Sequence, residues 1–251
     1  IIFLFLGGFL LGLAMQRWAL HRRIALNILL AVGQRANRQI AGFMIATAFL
    51  SMWVSNTATS IMMLPIGVSV ISFLPEGNDG ERRRFAVALL LAIAYSASIG
   101  GIATLIGTPP NAILAAYLKE SHGISIGFGQ WMMIGLPVAL GMLVFTWWWL
   151  CRKGFAGLET SGSRDLLRAE LQKLGPLSGG EARVLLIFVA TAAAWIFRPL
   201  LNDYLPGVTD TVIAMTAGIL LFTVRSGGAD SQALLDWQSA EKLPWGVLLL
   251  F

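Results

Sequence analysis

The sequence predicts an all-helical, multi-pass membrane protein, and three observations carry that expectation. Hydrophobic residues make up 57% of the 251 and charged residues 12%, whereas a soluble domain is about a quarter charged. Uncharged runs recur at 1–16, 39–75, 85–118, 123–151, 184–197 and 211–224, and one bilayer crossing needs about 20 residues. Two of these runs, 39–75 and 85–118, are too long for one crossing and carry polar or helix-breaking residues inside them. The net charge of +5 comes from Arg and Lys in short loops. It reports orientation and gives no reason to invoke nucleic acid. With a single cysteine, Cys151, no internal disulfide can form.

Residues 1–15 read as the end of a spanning helix, with Gly7, Gly8 and Gly12 allowing close helix packing. Trp18 marks an interface. Arg22-Arg23 then opens an amphipathic stretch with Ile24, Ile28, Leu29 and Val32 on one side, expected along the cytoplasmic surface.

Residues 39–75 form the stretch on which the organisation turns. The run is 37 residues long without a charge, between the lengths needed for one crossing and for two with a turn. Arg35 and Arg38 precede it and Arg82, Arg83 and Arg84 follow, which places both ends on the cytoplasmic side. Two half-length helices meeting at the polar run Ser55-Asn56-Thr57 satisfy both facts. Residues 40–54 would rise about 22 Å as helix, bringing that tip near the membrane midplane. Non-helical backbone at such depth persists only where it is buried in protein or lines a cavity. The competing reading is one long tilted helix in which Ser and Thr bond back to the preceding turn.

Residues 85–118 are the second unusual run, interrupted by Ser96-Ala-Ser98-Ile-Gly100-Gly101 and by Gly107-Thr108-Pro109-Pro110-Asn111. Pro109 cannot donate to a helical hydrogen bond, and Thr followed by Pro is a good helix start. This reads as a helix that unwinds near Gly107 and restarts; a simple proline kink is the alternative. An outer loop follows at Lys119-Glu-Ser-His122-Gly, then a span over 131–149 ending in the belt Trp147-Trp148-Trp149. Residues 152–183 are rich in Arg and Lys and hold an amphipathic helix with Leu166, Leu167, Leu171 and Leu174, closed by Gly175-Pro176. Residues 184–201 and 211–224 make two more spans. Alternation of sides is consistent only if 39–75 makes no net crossing. Both ends lie inside apolar runs, so the chain is expected to be an internal piece of a longer, transporter-sized protein.

The tip and the unwound segment are rich in Ser, Thr, Asn and Gly, with no charged side chain or His in 39–75 or 85–118. Restarting helices offer positive N-terminal ends and free N–H groups to an anion. Carbonyls freed by unwinding, with hydroxyl and Asn oxygens, suit a hard cation such as sodium. A proton-driven antiporter would need an intramembrane acid, and a hydrolase would need a base within reach of a Ser. His21 and His122 both fall in loops. An enzyme is therefore not expected.

Ser55-Asn56-Thr57 in a hairpin, followed by Ile106-Gly107-Thr108-Pro109-Pro110-Asn111, resembles the divalent anion:sodium symporter family, whose bacterial members carry dicarboxylates such as succinate. The resemblance implies an inverted-repeat transporter, each repeat with a re-entrant helical hairpin and an unwound transmembrane helix, in a multi-pass protein of the bacterial inner membrane. By motif, Ser51, Ser55, Asn56 and Gly107 would ligate one sodium ion. Asn56 and Thr57 would hydrogen-bond a substrate carboxylate, with Thr108 and Pro109 bordering the pocket. The resemblance also implies a homodimer in which a transport domain slides against a scaffold. Residues 39–201 would move (hairpin 39–75, broken helix 85–119, spans 130–151 and 183–201, amphipathic helix 163–174), while 1–38 and 202–251 would belong to the scaffold. The sequence has no second Ser-Asn-Thr, so a second repeat is expected beyond residue 251. The expected function is sodium-coupled symport of di- or tricarboxylates by an elevator-type mechanism. A sodium-independent anion exchanger of the same fold, or a channel or structural membrane subunit, are the alternatives.

Overall fold

A computed structural model describes residues 2–74, 79–152, 154–155, 162–227 and 231–248. Regular structure among them is helical: α1 (Ile2–Arg17), α2 (Leu20–Val32), α3 (Ala36–Ser51), α4 (Asn56–Ser72), α5 (Asp79–Ile102), α6 (Pro109–His122), α7 (Phe128–Cys151), α8 (Ser163–Lys173), α9 (Gly179–Ile196), α10 (Arg198–Tyr204), α11 (Asp210–Thr223), α12 (Trp237–Ala240) and α13 (Trp245–Leu248). One isolated antiparallel bridge joins Arg225 and Ala233. Among the described residues α5, α7 and α9 are long and apolar enough to cross a membrane, and α1 with α2 adds a fourth candidate. That pair breaks at Trp18-Ala19, where Ala19 takes φ +54°.

The helices pack as two compact units. One unit holds residues 21–103 and 137–176. Its core gathers Ile40, Phe43 and Leu50 of α3, Met63 and Val70 of α4, and Phe85, Leu89 and Ile93 of α5. A Cβ on Gly67 of α4 would stand 3.7 Å from Phe43 Cε1 and 2.9 Å from Ile93 Cδ1. Residues 43 and 67 would lie about 36 Å apart on a continuous helix, so α3 and α4 fold back on each other and the long-helix reading fails. The amphipathic stretch at α2 buries Ala25, Leu26 and Leu29 in this same core, with Ile24 and Ile28 only half-buried. The expected stripe is thus realised in part: Leu29 and Val32 close on Gly42 of α3, while Ala25 and Leu26 are buried in place of Ile24 and Ile28. Leu167 of α8 is buried there as well. Arg22 and Lys173 both pair with Glu170, and the Lys173 hydrogen bond foremost holds that carboxyl below its ordinary value.

The other unit holds residues 1–20, 104–136 and 177–251. A Cβ at Gly7 of α1 would fall on the Ala214 backbone of α11, so the expected glycine packing is realised there. Phe128 stacks on Trp195 with centroids 4.4 Å apart. Three expectations need correction here. The segment 119–122 is helical, not loop: α6 runs to His122 and stops at Gly123 (φ +68°), whose N–H reaches Lys119 O. The span expected over 184–201 is two helices, because Pro199 has no N–H to continue α9 and Phe197 breaks the run. The helix at 211–224 is only 14 residues long, about 21 Å.

Arg198 turns back to Asp210, the first residue of α11, at 2.9 Å. The same carboxylate accepts from Phe128 N–H at 2.9 Å, and Trp195 Nε1 donates to Asp210 O at 3.0 Å. Removing one partner of a buried ion pair costs about 3–5 kcal/mol. With the Arg198 side chain 28% exposed, we expect Asp210→Ala to lower stability by about 2–3 kcal/mol, and Arg198→Met with Asp210→Asn, which keeps an acceptor for Phe128 N–H, to recover most of it. Thermal unfolding in detergent checks this; an Asp210→Ala protein melting like wild type would remove the pair from the account of how α9, α10 and α11 are held.

Candidate functional site

The chain turns between α3 and α4 in four residues. Met52 N–H donates to Ala48 O, and Trp53 and Val54 N–H groups both donate to Leu50 O, which closes α3. Met52, Trp53 and Val54 are buried and anchor the turn. Ser55 is extended (φ −56°, ψ 144°), and its Oγ accepts from Ala58 N–H at 3.3 Å. Ser55 is therefore the N-cap of α4, the position Ser favours because its oxygen satisfies a donor that the helix cannot. Ala58 N–H is thereby satisfied, while the N–H groups of Asn56 and Thr57, in the first turn, have no helical acceptor.

Ser51 is fully buried at the end of α3. Its Oγ lies 2.7 Å from Asn56 Oδ1 and 2.6 Å from the Ala97 carbonyl of α5. A hydroxyl has one proton to donate, so it can satisfy one of these two oxygens at a time. Three oxygens thus converge on one proton, a donor-poor cluster suited to a hard cation. The glycines of α5 make the approach possible. A Cβ at Gly100 would stand 2.6 Å from Ala48 Cα, and one at Gly101 would stand 2.5 Å from Asn56 Oδ1. The run at 96–101 was expected to interrupt its helix, but α5 continues through Ile102. Gly100 and Gly101 admit a neighbour instead of ending the helix.

The unwinding expected near Gly107 is present: residues 103–108 are non-helical, and α6 restarts at Pro109. Thr108 is extended (φ −149°) as N-cap, but its hydroxyl makes no cap hydrogen bond. Pro109 and Pro110 lack N–H groups, and Asn111 N–H donates to Thr108 O at 3.2 Å. The Asn111 side chain donates to Thr104 O at 2.8 Å and folds the connection. The helix end expected to supply free N–H groups to an anion is therefore poor in them, and α4 is the better donor.

Of the expected site residues, the structure brings Ser51 and Asn56 into contact. Ser55 Oγ accepts the Ala58 cap bond and keeps one lone pair, and Ser55 and Thr57 are exposed. Gly107, Thr108 and Pro109 belong to the other unit, which the chain enters between Ala103 and Thr104. Sequence reasoning passed over the Ala97 carbonyl, which only helix packing reveals. It also passed over Thr47, Thr59 and Ser96, whose buried hydroxyls have no hydrogen-bond partner among the described residues. Thr47 is one turn before Ser51, a spacing that could have flagged it.

A family model described as the sodium:sulfate symporter transmembrane region matches residues 1–251. The sodium-dependent dicarboxylate transporter SdcS of Staphylococcus saprophyticus is 42% identical over 262 residues, covering all of this chain and 50% of that protein. The Staphylococcus aureus protein of the same description is 40% identical with the same coverage. The chain thus spans about half the length of the curated relatives it matches.

The two glycines should behave differently on substitution. At Gly100 the obstacle is backbone, so Gly100→Ala should destabilise the fold by about 1–3 kcal/mol. At Gly101 the obstacle is the Asn56 carboxamide, so Gly101→Ala should leave a folded protein with that side chain displaced. Melting temperatures of the two variants check the contrast; equal losses would mean that Asn56 is as immovable as the backbone.

Proposed function

The chain belongs to the sodium:sulfate symporter family, and from that premise we propose that it forms half of the machinery of a sodium-coupled secondary transporter for dicarboxylates. As a member of that family it is a multi-pass integral membrane protein of a transporter class and not an enzyme. The observation that carries the sodium reading is the cluster of Ser51 Oγ, Asn56 Oδ1 and Ala97 O around one proton. It supplies neutral oxygens without an acid, which favours an alkali cation over a proton as the coupling species. Sodium is here a transported ion. Ser55 and Gly107 would complete its ligands, and the N-terminus of α4 would present Asn56 and Thr57 to a substrate carboxylate, bordered by Thr108 and Pro109. The names of the two staphylococcal relatives support the dicarboxylate class.

In this reading α3 and α4 form a re-entrant hairpin whose tip sits near the midplane, and α5 with α6 forms the unwound helix. Residues 39–201 would move and 1–38 with 202–251 would remain fixed, in a homodimer within a bacterial cytoplasmic membrane. That is a division by motion, whereas the two compact units are a division by packing. An inverted second repeat would bring the opposing half of the site.

Succinate uptake into proteoliposomes by the longest reading frame containing these residues tests the proposal. Uptake should require an inward sodium gradient. Exchange without sodium would make it an anion exchanger, and no flux would leave a structural or channel subunit. Asn56→Ala should raise the sodium concentration for half-maximal uptake about tenfold to a hundredfold, the loss of one charge-assisted contact; unchanged sodium dependence would remove Asn56 from the site. Single cysteines at Asn37 and Gly80 should label from the same face. Labelling from opposite faces would make α3 and α4 a crossing.

A further inference from the structure

Outside the hairpin tip, the surface feature with the most definite chemistry lies along α5 and α7, within the unit that holds residues 21–103 and 137–176. A depression of about 360 Å³ is lined by Arg83, Arg84, Arg152, Trp149, Leu91 and Phe155. It adjoins a second, of about 440 Å³, that shares Trp149 and Leu150 and continues past Tyr95, Ile99, Met142 and Phe145. Arg152 lies 3.5 Å over the Trp149 ring, which fixes its guanidinium at the junction of the two. Arg84 approaches Glu81 at 3.5 Å. Among the described residues, neither Arg83 nor Arg152 has an ion-pair partner.

We propose that this groove binds one anionic phospholipid, with its phosphate on Arg83 and Arg152 and its acyl chains along α5 and α7. Length supports that occupant. Arg84, Val87, Leu91, Tyr95 and Ser98 recur at helical spacing and are all exposed. They extend over about 21 Å of helix, against about 20–22 Å for one leaflet with its headgroup layer. Chemistry supports it too: the groove is basic only at one end and apolar or weakly polar beyond. That end carries the arginines expected on the cytoplasmic side, where anionic lipids attract basic clusters. A covering protein segment would have to bring its own carboxylates to one end of an otherwise apolar strip, whereas a phospholipid has this polarity built in.

The test uses the longest reading frame containing these residues, in nanodiscs of phosphatidylcholine titrated with phosphatidylglycerol. Lipid retention is read by native mass spectrometry. Wild-type protein should retain one phosphatidylglycerol in preference to phosphatidylcholine. Arg83→Gln and Arg152→Gln should each weaken that preference roughly fivefold, while Arg164→Gln, a control on the same basic loop, should leave it intact. Ser98→Trp should fill the groove and expel either lipid. An equal loss in Arg164→Gln would mean that the chain's general basic charge, and no built site, attracts the lipid. A photocrosslinker at Phe145 that captures only protein outside residues 1–251 would show that the groove is a protein interface. Either result overturns the proposal.

Discussion

The hydroxyl of Ser51 joins the end of α3, the start of α4 and the middle of the C-terminal half of α5, and the geometry of the tip depends on that junction. Each of the three parts meets a separate requirement. Ser55 must cap α4, so that the chain can leave α3 and reverse within four residues. Gly100 must lack a side chain, so that α5 can lie on the Ala48 backbone. Gly101 must lack one as well, so that the Asn56 carboxamide can reach Ser51. An apolar surrounding makes all of this consequential, since a buried polar atom without a partner costs about 1–3 kcal/mol. The result is a polar point held by backbone and short side chains, with no Asp, Glu, Lys, Arg or His in 39–75 or 85–118 to neutralise it.

The two restarting helices divide the chemistry unequally. At α4 the cap leaves two N–H groups for a ligand. At α6 two successive prolines withhold them, and the Asn111 side chain uses the Thr104 carbonyl. What α6 contributes by sequence is a stiff start and an irregular approach over 103–108. In the proposed transporter, cation affinity in this half would come from side-chain and carbonyl oxygens, and anion affinity from one helix end. A second hairpin with the same chemistry would supply the other end that a dicarboxylate needs.

The hairpin was legible because its constraints are global: an uncharged run of the wrong length for one crossing or two, with basic residues on both sides. The break before α6 was legible because two prolines and a glycine allow few alternatives. Gly100 and Gly101 were misread because a glycine in a helix marks either a weak point or a close neighbour, and only the neighbour decides. The Ala97 carbonyl belongs to a residue with no polar side chain, so no composition-based reading could select it. Asp210 falls outside the spans expected over 184–201 and 211–224; its role depends on Arg198, which Pro199 places at the break after α9. Lys119 to His122 looked like a loop because the residues are polar, yet they extend α6 by its last turn until Gly123 adopts the left-handed conformation.

The central claim is that the cluster of Ser51, Asn56 and Ala97 is a cation site. Its most direct test is an ion-resolving experimental structure of the longest reading frame, determined in sodium chloride and again in choline chloride. The account predicts density among Ser51 Oγ, Asn56 Oδ1 and the Ala97 carbonyl in sodium that is absent in choline. It would be contradicted by the same arrangement in both salts, with Asn56 Nδ2 donating to Ser51 Oγ and Ser51 donating to Ala97 O, because that neutral network leaves nothing for a cation to satisfy.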